Sequence, residues 1–376
     1  MNMAVSKNKC FLNLAKKFAQ GLYFFIKLLP TQNKAVLITR LNRQTSVDFQ
    51  LLIEEIGQRH PKTRTVILNH RRNNIFRQAL DILSEMYHLA TSQVAVIDSY
   101  IIPVSILHHK QSLRIVQMWH ALGAIKGFGY QTLDKPAGNS RKTSEIMAMH
   151  CNYSKVICGS EATAAIYSNC FNVAPENIVP IGLPRVDYLL DIKNQARSRL
   201  IAQNLFPNLD NRRIILYAPT FRKSNVLPLE QLIKQIDFSR YTLIIKLHTL
   251  DASPLQTHVN VCKIHDEISI LDLLPAVDYV ITDYSATVFE AALLGKPLFF
   301  WSFDYEHYAQ NCGFALDYYK EMPGLISKDP AEIIRAIEKN EFDSTRIRTF
   351  AKKYITYQDG SCTKRLVELL EIRNFE

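Results

Sequence analysis

Two short stretches, far apart in the chain, carry side chains whose types and spacing suit chemistry. The first is Gln117-Met118-Trp119-His120-Ala121-Leu122-Gly123-Ala124-Ile125-Lys126-Gly127. It follows the mostly apolar run Leu113 to Val116 and delivers an aromatic ring, an imidazole and a lysine in quick succession. A histidine there is a candidate general base, because its ordinary pKa lies close to neutral pH. A core tryptophan beside a hydrogen-bonded histidine would read the same way. The second stretch, Thr282-Asp283-Tyr284-Ser285-Ala286-Thr287-Val288-Phe289-Glu290, runs from an apolar strand into a helix. Ser285 and Thr287 fall in its first turn, where unpaired N–H groups, two hydroxyls and the helix dipole favour an anion. Glu290, about one turn further on, suits hydrogen bonds from ribose hydroxyls. The plainer alternative is that Asp283 or Ser285 merely caps the helix.

Two more expected strand ends add polar groups. Tyr217-Ala218-Pro219-Thr220-Phe221-Arg222-Lys223 ends with a hydroxyl and two cations, and Ile244-Ile245-Lys246-Leu247-His248 with a lysine and an imidazole. Lys246 and His248 are two residues apart and so share one face of an extended strand. Solvated loop charge would explain each alone. Together they point to a nucleotide-diphosphate pocket in the second half of the chain, opposed by His120 from the first.

The elements that must position these groups alternate. Strands are expected at Ala35–Thr39, Thr65–Leu68, Val94–Asp98, Leu113–Gln117 and Val156–Gly159, with helices at Val47–Gln58 and Ile75–Leu89 between them. Ser160 is a good N-cap for the helix that follows. The run Ile181-Gly182-Leu183-Pro184-Arg185-Val186-Asp187 breaks the rhythm and marks an interdomain boundary. After a polar helix near Ile192–Asn204 the alternation restarts. Strands are expected at Arg213–Tyr217, Thr242–Leu247, His258–Val261, Tyr279–Thr282 and Pro297–Trp301. Helices are expected at Leu229–Ile236, Ile268–Leu274 and Ala286–Leu294, with further helices closing the chain beyond Arg346. Alternating βα units imply parallel sheets covered by helices. The expected fold is α/β, with two Rossmann-like domains facing across a cleft. The expected division is residues 1–30 as an amphipathic helix, 31–188 as an acceptor domain and 189–376 as a donor domain.

Composition agrees with this size. The 376 residues suit two domains, and 47% hydrophobic against 21% charged residues describe a globular chain. A formal net charge of +10 favours polyanionic partners. Nucleic acid is not expected, since no basic stripe interleaved with aromatics appears. Seven cysteines without a C-x-x-C pair argue against a disulfide framework or zinc site and for a reducing compartment.

The amino terminus reads as one helix over about Lys9–Leu29. Lys9, Asn13, Lys16, Lys17, Gln20 and Lys27 share one sector, while Phe11, Leu14, Phe18, Leu22, Phe25, Ile26 and Leu29 cover the other side. Phe24 is the misfit. Recurrent lysines leave no apolar run long enough to cross a bilayer, and no cleavage site follows. A basic amphipathic helix is expected to lie on an anionic membrane surface. Packing on its own domain is the alternative.

These motifs, in order, resemble the CDP-glycerol glycerophosphotransferases of bacterial teichoic acid synthesis. Trp119-His120 with Gly123 and Lys126 is similar to the family's Trp-His-Gly segment, whose histidine is the proposed base. Gly182-Leu183-Pro184-Arg185-Val186-Asp187 resembles its Gly-x-Pro-Arg-x-Asp stretch, and Tyr217-Ala218-Pro219-Thr220-Phe221-Arg222 its Tyr-Ala-Pro-Thr-Trp-Arg strand end. Lys246-Leu247-His248 stands where Arg-Leu-His is usual, and Thr282-Asp283-Tyr284-Ser285-Ala286 resembles Thr-Asp-Tyr-Ser-Ser. The chain departs at Ala121, Ala286, Lys246 and Glu290, where the family usually has Gly, Ser, Arg and Asp. Lysine for arginine keeps the charge and loses the bidentate fork.

The resemblance implies a glycosyltransferase-B fold and a reaction. A polyol-phosphate, glycerol phosphate first and ribitol phosphate as the alternative, would pass from a CDP donor to a hydroxyl of a lipid-linked glycan or teichoic acid primer, releasing CMP. His120 and His248 would be catalytic. Trp119, Ala121, Lys126, Arg185, Pro219, Thr220, Arg222, Lys246, Leu247, Asp283, Ser285, Ala286 and Glu290 would bind substrate. No metal at the diphosphate and no cofactor beyond the donor are expected. The short chain resembles the enzymes that add a first unit, at the cytoplasmic face of the membrane. A nucleotide-sugar glycosyltransferase and a non-enzymatic, membrane-tethered polyanion binder remain as rival readings.

Overall fold

The computed structural model describes residues 2–373, except 41–44, 70–74, 208, 210, 223–226, 248–250, 252, 255–257 and 265–267. The chain forms two compact units, each built on a six-stranded parallel sheet. The first comprises residues 1–120, 128–184 and 361–376, and the second residues 121–127 and 185–360. This differs from the expected division at both ends of the chain and inside it, since residues 121–127 and 185–188 belong to the second unit. Residues 361–376 return to the first unit, where the helix Cys362–Leu370 packs on the helix at 47–59. The amino-terminal helix is also part of the first unit rather than a separate body.

In the first unit, β1 (Lys34–Thr39), β2 (Arg64–Asn69), β3 (Val94–Ile97), β4 (Arg114–Gln117), β5 (Lys155–Ile157) and β6 (Ile178–Val179) lie in the order β2-β1-β3-β4-β5-β6. The helices are α1 (Asn2–Ile26), α2 (Val47–Arg59), α3 (Ile75–Thr91), α4 (Ile102–Ile106), α5 (Arg141–Ile146) and α6 (Glu161–Phe171). β1 and β3 are fully buried, which is why they read as continuous apolar runs rather than alternations. Ser160 caps α6 as its sequence suggests, its Oγ accepting from Thr163 N–H at 3.2 Å.

In the second unit, β7 (Arg213–Tyr217), β8 (Tyr241–Lys246), β9 (Val261–Ile264), β10 (Tyr279–Thr282), β11 (Leu298–Trp301) and β12 (Leu325–Ser327) take the order β12-β11-β10-β7-β8-β9. The strand expected at His258–Val261 instead begins at Val261. The very short β6 and β12 have no periodic signal of their own; their neighbours in the sheet define them. Strand order reverses between β7 and β10, and open α/β sheets bind ligands outside the carboxyl ends of strands at such a reversal.

α1 is amphipathic as expected, and its orientation is informative. Its polar side faces its own unit. Lys16 Nζ donates to the Ile146 carbonyl at 2.8 Å, Gln20 Nε2 to the Ile106 carbonyl at 2.8 Å and Lys27 Nζ to the His108 carbonyl at 2.9 Å. Ile146 and Ile106 end α5 and α4, so Lys16 and Gln20 satisfy helix-terminal carbonyls. Tyr23 is buried, its hydroxyl 2.9 Å from His109 Nδ1. The apolar side points outward: Phe11, Leu14, Phe18, Phe25 and Leu28 are all exposed. No helix among the described residues is long and apolar enough to cross a membrane.

Candidate active site

In the first unit, the site is built where β3 and β4 end. Gln117, fully buried, uses both ends of its amide. Nε2 donates to the Ser99 carbonyl at 3.1 Å, and Oε1 accepts from Trp119 N–H at 2.8 Å. That second bond holds Trp119 in a left-handed conformation, φ +57°, which costs a non-glycine residue on the order of 1–3 kcal/mol. Aromatic packing fixes the ring: Phe128 stacks on it at 4.8 Å and Phe171 meets it edge-on at 5.2 Å. The His120 ring centroid lies 4.2 Å from that of Trp119. His120 Nδ1 lies 2.9 Å from the Asp98 backbone oxygen. A carbonyl only accepts, so Nδ1 carries the proton and the neutral ring has its lone pair on Nε2.

In the second unit, the loops after β7 and β10 are tied together at the sheet's reversal point. Asp283 is fully buried: Oδ1 accepts from Thr220 N–H at 2.8 Å and Tyr284 N–H at 2.6 Å, and Oδ2 pairs with Arg222 Nη1 at 2.7 Å. Arg222 also makes a bidentate pair with Asp304, Nε to Oδ2 at 2.6 Å and Nη2 to Oδ1 at 2.9 Å. Its guanidinium sits over the rings of Phe303, Tyr284 and Tyr308. Burial alone would lower the Arg222 pKa, but the two carboxylates raise it and keep the group charged. Ser285 Oγ lies 3.0 Å from Thr287 Oγ1 and accepts from Thr287 N–H at 3.3 Å. Thr220 Oγ1 is buried without a hydrogen-bond partner among the described residues.

Residues 121–127 join this second unit by backbone pairing: Gly127 N–H donates to Gly313 O at 3.0 Å and Ala315 N–H to Ile125 O at 2.8 Å. Gly123 allows the close fit, since a Cβ there would lie 2.6 Å from the Phe289 ring. Desolvation by surrounding protein lowers the Lys126 ammonium pKa, and Cys312 and Asp283 oppose that shift.

A family model for CDP-glycerol:poly(glycerophosphate) glycerophosphotransferase matches residues 22–372. The chain belongs to that family. Membership makes it a CDP-polyol phosphotransferase of teichoic acid synthesis. It is 32% identical over 360 residues to the teichoic acid ribitol-phosphate primase of Bacillus spizizenii (strain ATCC 23059 / NRRL B-14472 / W23), covering 91% of this chain and 92% of that one. It is 26% identical over 381 residues to the teichoic acid glycerol-phosphate primase of Bacillus subtilis (strain 168), covering 94% and 96%. The fold matches the structure of the wall teichoic acid polymerase TagF with a TM-score of 0.74 at 17% identity, over 98% of this chain and 97% of that one. The α/β class with two Rossmann-like sheets is therefore as the sequence implied.

Within this family fold, several residues expected to touch substrate are engaged by one another or buried. Asp283 and Arg222 are buried partners, with Asp304, in an ion network that binds two loops together. Glu290, only 3% exposed, is engaged by Arg185, whose Nη1 lies 2.9 Å from Oε1; the two expected ligand groups meet each other. Leu247 belongs to the core of the second unit. Ala286 precedes the helix Thr287–Leu293, so Ser285 stands before it rather than in its first turn. Ala121 is buried. Pro219, Ser285 and Lys246 are half-buried, Lys246 as the last residue of β8. His248 lies outside the described residues. Sequence reasoning missed Asp98, Gln117 and Asp304. All three stand at or just beyond strand ends, and that position was their available signal.

Proposed function

We propose that the chain transfers a polyol-phosphate unit from a CDP-activated donor to a hydroxyl of a lipid-linked glycan or teichoic acid primer, with CMP leaving. His120 is the general base. The observation that carries this is the bond between His120 Nδ1 and the Asp98 carbonyl, which orients Nε2 as the proton acceptor. The attacking hydroxyl gives its proton to Nε2 as its oxygen bonds to the donor's β-phosphorus and the bond to the CMP oxygen breaks. The donor's phosphates are assigned to the loops at the β7/β10 reversal, where the Thr220 hydroxyl and Ser285 offer donors on a scaffold made rigid by Asp283, Arg222 and Asp304. Lys126 and Lys246 supply positive charge, and His248 takes part on family resemblance. The reaction needs no cofactor beyond the donor.

The sequence motifs alone imply glycerol phosphate as the unit transferred. The closer similarity to a ribitol-phosphate primase than to a glycerol-phosphate primase favours ribitol phosphate. Near full-length correspondence with both primases favours addition of early units. The outward apolar face of α1 supports a peripheral position on an anionic, cytoplasm-facing membrane.

The test offers purified protein CDP-glycerol or CDP-ribitol with lipid-linked disaccharide or primed acceptors, reading CMP release and product mass. A mass gain of one or a few ribitol phosphates on a primed acceptor is expected. Release of UDP from UDP-sugars, with no CMP from either CDP donor, would defeat the reading.

A further inference from the structure

The second unit carries a concave, basic site at the other end of its sheet, where β7 and β8 begin. Arg212 and Arg213 enter β7, Ser239 and Arg240 precede β8, and Asn211 and Asn340 complete the rim of a depression of about 690 Å³. That size falls among ordinary ligand sites, about 300–1,000 Å³. No lining residue is acidic. No ion pair among the described residues engages Arg213 or Arg240.

The guanidiniums are held in place. Arg213 donates to Asn340 Oδ1 at 3.1 Å and to the Tyr279 hydroxyl, while Arg212 donates to Asn260. Arg240 lies over the Tyr241 ring, 5.3 Å from its centroid. Nearby carboxylates are committed to the backbone: Asp278 Oδ2 accepts from Ile214 N–H at 2.7 Å, and Asp237 Oδ1 from Ser239 N–H at 2.9 Å. Three guanidiniums ring a concavity with no acidic lining residue, while Asp278 and Asp237 beside it offset part of the charge of Arg213 and Arg240. Planar guanidiniums fixed by stacking and neutral hydrogen bonds match phosphate oxygens, which they chelate in pairs. The side-chain amides of Asn211 and Asn340 add neutral donors, while the Ser239 hydroxyl donates to Asp237 Oδ1 at 2.6 Å.

We propose that this depression is a second anion site, separate from the donor pocket, that takes phosphate groups of a soluble phosphodiester or polyphosphate chain. Its place at the strand starts puts it at the opposite end of the sheet from the loops at 218–222 and 283–285. It therefore holds anion without competing for those loops, whatever donor they bind.

The test is calorimetric titration of the full chain with inorganic tripolyphosphate, with and without saturating CMP. Binding that survives CMP is expected, weakened about tenfold by Arg240→Gln and partly restored by Arg240→Lys. Arg240 is exposed, so these variants should melt with the wild type. Arg213→Lys is a second probe, expected to weaken binding less. Complete displacement by CMP, or wild-type affinity in Arg240→Gln, overturns the proposal. Adsorption to phosphatidylglycerol vesicles that Arg240→Gln abolishes, without any tripolyphosphate binding, also overturns it in favour of a lipid headgroup site.

Discussion

His120 Nδ1 lies 2.9 Å from the backbone oxygen of Asp98, so the tautomer of the proposed base is set by main chain rather than by a side chain. A triad would use a carboxylate there; here the strand end itself serves. His120→Ala should lower kcat by about 10²–10⁴-fold, with donor KM and melting temperature close to wild type. Because the orienting acceptor is a carbonyl, Asp98→Asn leaves that hydrogen bond intact. Near-normal turnover in the His120 variant would remove the base assignment.

The buried network of Arg222, Asp283 and Asp304 makes a different kind of prediction. Removing one partner of a buried pair leaves an uncompensated charge, which costs about 3–5 kcal/mol. Asp304→Ala should therefore lower the melting temperature sharply, and Arg222→Ala should do the same. Arg222 has no solvent-facing role to lose, so kcat at a temperature where the variant stays folded should fall less than in His120→Ala. Unchanged melting of Asp304→Ala would show that the loops are held by other contacts.

Much of the fold was legible because β1, β3, β7 and β10 are buried apolar runs ending at polar punctuation. What stayed hidden was pairing. Arg222 after one strand and Asp283 after another read as two ligand groups, because each type suits phosphate or ribose chemistry. Only the β7/β10 adjacency shows that they neutralise each other. Asp304 escaped for the complementary reason: nothing local marks the third member of a network assembled from three strand ends. The return of residues 361–376 to the first unit is likewise a long-range contact with no local signature.

Three histidines, His150 buried and His88 and His109 half-buried, set the acid limit. Desolvation lowers His88 and His109 to about 4 and His150 to about 3, with Lys34 and Arg64 adding to the effect at His88. An unfolded histidine titrates near 6.5. Between these values the unfolded chain binds more protons, so stability falls as pH drops from about 6.5 towards 4. Denaturant midpoints at pH 7, 5.5 and 4.5 should decline in that order. His88→Leu should recover on the order of 1 kcal/mol at pH 4.5, allowing for partial solvent screening. An equal decline in the variant would exclude His88 as a contributor.

The last prediction concerns which side of α1 does what. Phe11, Phe18 and Phe25 are 69%, 74% and 68% exposed, while Tyr23 is 1% exposed and bonded to His109. Exposed aromatics contribute little to folding, and changes there usually stay within about 0.5 kcal/mol. Each would gain up to about 1.5–3 kcal/mol on entering an apolar phase. α3, which touches α1, exposes Leu80, Leu83 and Tyr87 and so widens the apolar surface. Changing Phe11, Phe18 and Phe25 together to Ser should cut co-sedimentation with phosphatidylglycerol vesicles at least about tenfold while leaving the melting temperature in place. Tyr23→Ala should do the reverse, lowering stability because its hydroxyl and ring are packed inward. If the triple variant keeps full vesicle binding, the membrane contact lies elsewhere, and the outward apolar face of α1 must meet another partner.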